Sequence, residues 1–140
     1  MNLERRQPFE VEIPLAVKTY DIDFAGIVSN IVYVRWLEDL RLEMLARYFP
    51  LDEQVRDGLV PVILQTKIDY KQPIKLFDQP WGRMWMQSLD SLRWTVKAEI
   101  SVNGKVSALG EQMGVFVNLQ NNRPMRIPQR LQQGFRSITV

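Results

Sequence analysis

Two aspartates, Asp21 and Asp23, stand two positions apart in the stretch YDIDFAGIVSN, followed by Gly26 and the Ser29–Asn30 pair. Such a carboxylate can take a proton from water or attack a carbonyl carbon itself. The chain has no histidine and no cysteine. No Ser-His-Asp or Cys-His constellation can therefore be assembled, and zinc sites of the usual His/Cys type are excluded. No glycine-rich phosphate loop of the G-x-G-x-x-G or Walker type occurs. General acid–base chemistry falls to Asp, Glu, Lys, Tyr or water. A D-x-D pair also suits a hard metal ion, but no further carboxylates cluster with it, and neither a metal nor a cofactor is expected.

The pair lies where a strand gives way to a helix. A helix N-terminus presents unpaired backbone N–H groups and a partial positive charge. Groups of that kind can hold a carbonyl oxygen that becomes negative during acyl transfer. Gly26 lets the chain turn, or lets a ligand approach the backbone closely. The loop thus combines a candidate base with a candidate oxyanion site. The same residues also fit a purely structural role, because aspartate before a helix is a common cap, turn former or dipole partner.

The elements that must position this loop are legible in the periodicity. Val11, Ile13, Leu15 and Val17 alternate, which is strand spacing, with Pro14 favouring an edge or a bulge. From Asn30 to Phe49 there is neither Gly nor Pro. Good helix formers dominate the second half of that run, Ser29 or Asn30 can cap its start, and Pro50 follows its end. A helix is expected over 30–49. Tyr33, Leu37, Leu40, Met44 and Tyr48 form one apolar stripe, and Ile31, Val34, Leu42, Leu45 and Phe49 widen it. Arg35, Asp39, Glu43 and Arg47 make a single polar line. So narrow a polar face predicts a mostly buried, wrapped helix. LDEQVRDG reads as a loop or short helical turn, and strands follow. In RWTVKAEISV, Trp94, Val96, Ala98, Ile100 and Val102 point inward and Arg93, Thr95, Lys97 and Glu99 outward. Asn103-Gly104 is a strong hairpin signal. Residues 1–9 read as a loose N-terminus and 120–140 as a C-terminal turn and tail.

The order strand, long helix and about four strands with short connections gives an α+β domain, an antiparallel sheet of about five strands curled around one helix. At 140 residues the chain fits one domain with a real core. A net charge of +2, with no dense basic stripe, argues against a nucleic-acid partner. No apolar run approaches the length of a membrane span. The opening MNLERRQPFEVEI lacks the apolar core of a secretory signal, and the cytoplasm is the expected compartment.

YDIDFAGIVSNIVYVRWLEDLRLEML resembles the first motif of the hotdog-fold acyl-CoA thioesterases of the 4-hydroxybenzoyl-CoA thioesterase family, D-x-D-x-x-G-[IVH]-V followed by a Tyr and a helix. KIDYKQPIKLFDQ is similar to that family's second landmark, I-x-Y-x-x-P-x-x-x-x-D, carried here by Ile68, Tyr70, Pro73 and Asp78. The late strand running into NNRPMRIPQRL is similar to the family's usual ending, so the resemblance spans residues 12–131.

The resemblance implies a hotdog fold, a homodimer with a continuous sheet or a homotetramer built from two such dimers, and an acyl-CoA bound at the subunit interface. It implies that Asp23 is the catalytic carboxylate, as general base or nucleophile, with Asp21 as its support. It further implies a thioester carbonyl polarised by backbone N–H groups, for which Ile31 and Asn30 are the nearest candidates. Many relatives carry His or Tyr where this chain has Asn30. An asparagine there can position water or the carbonyl through its amide, as in the acyl-carrier-protein branch, or serve only as a cap. Relatives often carry a glycine before the second strand, and Gly58 precedes LVPVIL here. Binding CoA phosphates needs cations. Lys71 and Arg93 are the candidates, with Lys75, Lys97, Arg123, Arg126 and Arg130 behind them. Trp81, Trp85 and Trp94 can line an acyl pocket or pack a sheet face or subunit interface. The implied activity is acyl-CoA hydrolysis. The alternatives are an acyl-carrier-protein thioesterase and a non-catalytic acyl-CoA-binding module. A hotdog dehydratase, which pairs a histidine with its acid, is disfavoured.

Overall fold

The computed structural model describes residues 7–139. Strand β1 (Val11–Pro14) leads through a 3-10 turn at Thr19–Asp21 to helix α1 (Asn30–Tyr48) and the short α2 (Leu51–Arg56). Strands β2 (Leu59–Tyr70), β3 (Trp81–Leu89), β4 (Arg93–Val102) and β5 (Lys105–Asn118) follow, then the two-residue β6 (Pro124–Met125) and α3 (Gln129–Thr139). All strand pairs are antiparallel, in the order β1-β3-β4-β5-β2, with β6 beside β5. This is a hotdog: one sheet curved over one long helix. Register shifts between Ile63 and Gln65, Met86 and Ser88, and Ile100 and Ser101 add the local twist that bends a sheet. β1, with Pro14, is an edge strand as expected, and β2 is the other, much longer edge.

The expected alternation in β4 is observed. Trp94, Val96, Ala98 and Ile100 are buried, and Arg93 is exposed. Asn103 and Gly104 both take positive φ, 52° and 79°, the backbone that a two-residue type I′ hairpin requires. Beneath α1 the sheet presents glycine. A β carbon at Gly82 would stand 3.0 Å from Leu40, and one at Gly110 would stand 3.0 Å from Leu37. The helix therefore sinks onto bare backbone, and Leu37 and Leu40 fill the space that side chains would occupy.

Three expectations need correction. α1 is not wrapped. Val32, Tyr33, Trp36, Leu37, Leu40 and Met44 are buried, whereas Ile31, Val34 and Leu42 are 77%, 47% and 45% exposed. A single sheet covers only one side of a helix, and Trp36, outside the expected stripe, belongs to that side. The N-terminus is not loose up to residue 9: Met86 N–H donates to the Pro8 carbonyl at 2.8 Å, and Phe9 is buried with its ring 5.1 Å from that of Tyr48. Residues 1–6 of that segment lie outside the described residues. The C-terminal tail is a regular helix, with Leu131 buried in the core and Phe135 packed against it. Its apolar side closes the end of the sheet, where burial outweighs the weak local helix signal of Gln- and Gly-containing sequence. Among the described residues no helix is long and apolar enough to cross a membrane.

Candidate active site

The segment between β1 and α1 is a small closed loop. Ile22 and Val28 form a β-bridge, and the Asp23 N–H donates to the Ile27 carbonyl at 2.8 Å. Gly26, at φ 79°, closes the turn by donating its N–H to the Asp23 carbonyl at 3.0 Å. Asp23 also builds the turn with its side chain, since Oδ1 accepts the Ala25 N–H at 2.8 Å, the Asx-turn pattern that favours aspartate at such a place. Oδ2 has no partner among the described residues. The loop is tied to the chain after β2 by the Val28 N–H, which donates to the Ile74 carbonyl at 2.8 Å.

The two aspartates are in opposite environments. Asp23 is half-buried beside a shallow depression that it shares with Tyr20, Ile22, Ser29 and Ile31. The Asp21 side chain is fully buried. Its carboxylate accepts Arg35 Nη1 at 3.0 Å and Nη2 at 2.9 Å and the Lys18 N–H at 2.8 Å. Its carbonyl accepts the Ser29 N–H at 2.8 Å. The Arg35 guanidinium holds the Asp21 carboxyl below its ordinary range, burial opposes that shift, and the Lys18 N–H reinforces it. Asp21 is thus a charged structural anchor. Arg35, one member of the polar line along α1, is the residue that sequence reasoning did not connect to this loop. The two are 14 positions apart, and no helical or strand period links them.

Ser29 is the N-cap of α1, but its side chain makes no capping bond. Asn30 is the first helical residue and is exposed, so it is not the cap. The backbone N–H groups of Asn30 and Ile31 have no acceptor among the described residues. Two donors therefore stand free at the positive end of α1, on the same loop-to-helix junction as Asp23. The Tyr70 hydroxyl donates to the Asn30 carbonyl at 3.2 Å, and the Tyr70 ring packs edge-on against Tyr33, 5.0 Å between centroids. Burial pushes the Tyr33 phenol up to about 12 and raises that of Tyr70. Neither is a base near neutral pH.

The two cations do not meet within one chain. Lys71 follows β2, its N–H donating to the Ser107 carbonyl at 2.8 Å, at the same end of the sheet as the loop. Arg93 begins β4, whose other end carries Ile100 into the cluster around Val28 and Val32. At about 3.4 Å per residue, that separates Arg93 from the loop by roughly 20 Å. The tryptophans pack the sheet. Trp94 and Trp85 are buried, the latter under the Arg83 guanidinium at 4.6 Å, while Trp81 is half exposed. No group of three or more Asp or Glu able to hold a metal ion occurs among the described residues.

The sequence profile of the thioesterase-like superfamily matches residues 17–135. The chloroplastic acyl-acyl carrier protein thioesterase ATL3 of Arabidopsis thaliana is 26% identical over 126 residues, 89% of this chain. The chain spans 66% of the length of that relative. The fold is similar to that of a DHNA-CoA thioesterase from Staphylococcus aureus, with a TM-score of 0.85 at 16% identity, covering 93% of this chain and 91% of that one. It is similar also to a thioesterase from Thermus thermophilus complexed with coenzyme A and zinc, with a TM-score of 0.77 at 24% identity, covering 91% and 92%.

Proposed function

This chain belongs to the thioesterase-like superfamily, and on that premise we propose that it hydrolyses an acyl-CoA thioester with Asp23 as the acting carboxylate. The observation that carries the reading is one of placement. Asp23 Oδ2 is free, and the N–H groups of Asn30 and Ile31 are free on the same junction.

The chemistry follows from these groups. Asp23 takes a proton from water as the hydroxyl oxygen bonds to the thioester carbonyl carbon. The carbonyl oxygen becomes an oxyanion, held by the N–H groups of Asn30 and Ile31. The tetrahedral centre collapses, the C–S bond breaks, and the sulfur leaves with the proton that Asp23 returns. The products are a free acid and CoA. Asp23 can instead attack the carbonyl carbon itself, breaking the C–S bond and expelling the CoA thiolate to form an anhydride, which water then opens to the free acid and the Asp23 carboxyl, whose proton goes to the thiolate. To the exposed Asn30 amide we assign the positioning of water or of the thioester carbonyl. Lys71, at this end of the sheet, is a candidate for the CoA phosphates, and Arg93, roughly 20 Å from the loop, is the more remote candidate.

We place a second copy along β2. This edge strand runs for 12 residues with its outer hydrogen-bonding groups open, an arrangement that soluble proteins seldom leave uncovered. The cysteine-free composition is compatible with the reducing cytoplasm, where we place the activity. The likeness to an acyl-acyl carrier protein thioesterase supports a second reading, the same hydrolysis on a carrier-bound acyl group.

The test is hydrolysis of a panel of acyl-CoA and acyl-carrier-protein thioesters by wild type and Asp23→Asn. Release of free thiol by wild type, abolished in the mutant, supports the reading, and the preferred member of the panel separates CoA from carrier. A wild type inert on the whole panel, or a mutant as fast as wild type, overturns it.

A further inference from the structure

Asp21 ends the 3-10 turn that precedes the loop, and it caps nothing in α1, whose N-cap is Ser29. Its carboxylate is turned away to both arms of Arg35, on the second turn of the helix, and to the Lys18 N–H on the entering strand side. Its carbonyl takes the Ser29 N–H at 2.8 Å. One residue therefore ties together the start of the loop, its end and the helix body. The pair is bidentate, the geometry in which an arginine fixes orientation as well as distance.

One consequence follows for the group that acts. The loop ends at Lys18 and Ser29 are tied through Asp21 to Arg35 on the helix, so the Asx turn carrying Asp23 is held in place relative to α1.

We propose that Arg35 is a positioning residue for thioester hydrolysis, anchoring Asp21 and with it both ends of the loop to α1, and so fixing Asp23 relative to the helix N-terminus. The inference rests on the thioesterase reading above. Arg35 touches no reacting atom in it. Its side chain is 44% exposed while that of Asp21 is 0%, so a small cation from solvent can reach the place that the guanidinium would vacate.

The experiment compares wild type, Arg35→Met, Arg35→Lys and, as control, Arg47→Met, whose arginine pairs with Glu43 farther along the same helix. Steady-state hydrolysis of the thioester that the wild type prefers is measured with and without millimolar guanidinium chloride. Arg35→Met is expected to lower kcat about 10- to 100-fold, the cost of a small misplacement of acting groups, with KM changed by less than about twofold. Guanidinium restores several-fold of the lost kcat, Arg35→Lys retains an intermediate rate because it keeps charge without the fork, and Arg47→Met matches wild type. A merely structural arginine would lower the amount of folded enzyme without this split and without rescue. Unchanged kcat in Arg35→Met, or a loss that guanidinium leaves untouched, overturns the proposal. If Arg35→Met does not fold, Arg35→Lys decides, and a wild-type kcat there overturns it. A wild type inert on every thioester overturns the function itself and this inference with it. An active wild type with an indifferent Arg35→Met overturns the inference alone.

Discussion

Asp23 binds Ala25 through one carboxylate oxygen and leaves the other unengaged: Oδ1 accepts the Ala25 N–H at 2.8 Å, and Oδ2 has no partner among the described residues. The structural and the chemical use of this side chain are therefore divided between its two oxygens. Asparagine keeps an Oδ1 that can accept the same bond but lacks the negative charge and the base. Asp23→Asn is expected to leave stability within about 0.5 kcal/mol of wild type while thioester hydrolysis falls by about 100-fold or more. Asp23→Ala should lose both. Urea unfolding beside the rate measurement checks this, and an Asn variant that loses stability in step with rate would assign Asp23 to the turn alone.

Asp21 makes stability depend on pH in a known direction. Its folded carboxyl lies below its ordinary value because of Arg35. A depressed folded value stabilises the fold at pH above the unfolded-chain value of about 3.9, and the stabilisation is lost as pH falls through the folded value. Thermal unfolding of wild type and Asp21→Asn between about pH 7 and about pH 3 should show the largest gap at neutrality, narrowing on acidification. A gap independent of pH would mean that the ion pair contributes nothing beyond its shape.

Gly114 is the glycine that the fold can least exchange. A β carbon there would stand 2.2 Å from the Val62 carbonyl oxygen and 2.3 Å from the Trp94 ring. Backbone and a buried indole cannot step aside. At Gly110 the neighbour is the end of Leu37, at 3.0 Å, which can. Gly114→Ala is expected to cost about 3 kcal/mol or more and Gly110→Ala about 1 kcal/mol. Denaturant midpoints at unchanged m-value report the difference, and equal costs would refute the ranking.

The β2 edge offers a test of assembly. Leu64 is 56% exposed at the register shift between Ile63 and Gln65. Under the proposed pairing of two β2 strands, Leu64→Lys puts like charges near the two-fold axis and should shift the sedimentation of the protein from dimer or larger toward monomer. A wild type that sediments as monomer, or a mutant that stays associated, would place the interface elsewhere or nowhere.

Features that depend on near neighbours along the chain were legible before any fold was known. Asn103-Gly104 can hardly be anything but a tight hairpin, the alternation of β4 announces its two faces, and the run from Asn30 to Tyr48 is helical by composition and by the residues at its ends. The D-x-D loop belongs with these, because an aspartate followed by Gly26 closes a turn through bonds within a few residues, and the motif resemblance singled out Asp23 there. Features that depend on distant chain segments came only with the folded chain. α1 carries large apolar side chains such as Ile31, Val34 and Leu42 outside its buried face as well as within it, so its periodicity could not say which side the sheet would take. Gly82 and Gly110, more than 40 positions away from the leucines they meet, settled it. The helical fate of 129–139 and the burial of Phe9 required the open end of the sheet to be present first. Asp21 met Arg35 only because the loop folds back on the helix. Bonds within a few residues are written in local order. A buried side chain's partner depends on which surfaces the folded chain brings together, and a bidentate pair across 14 positions has no local signature.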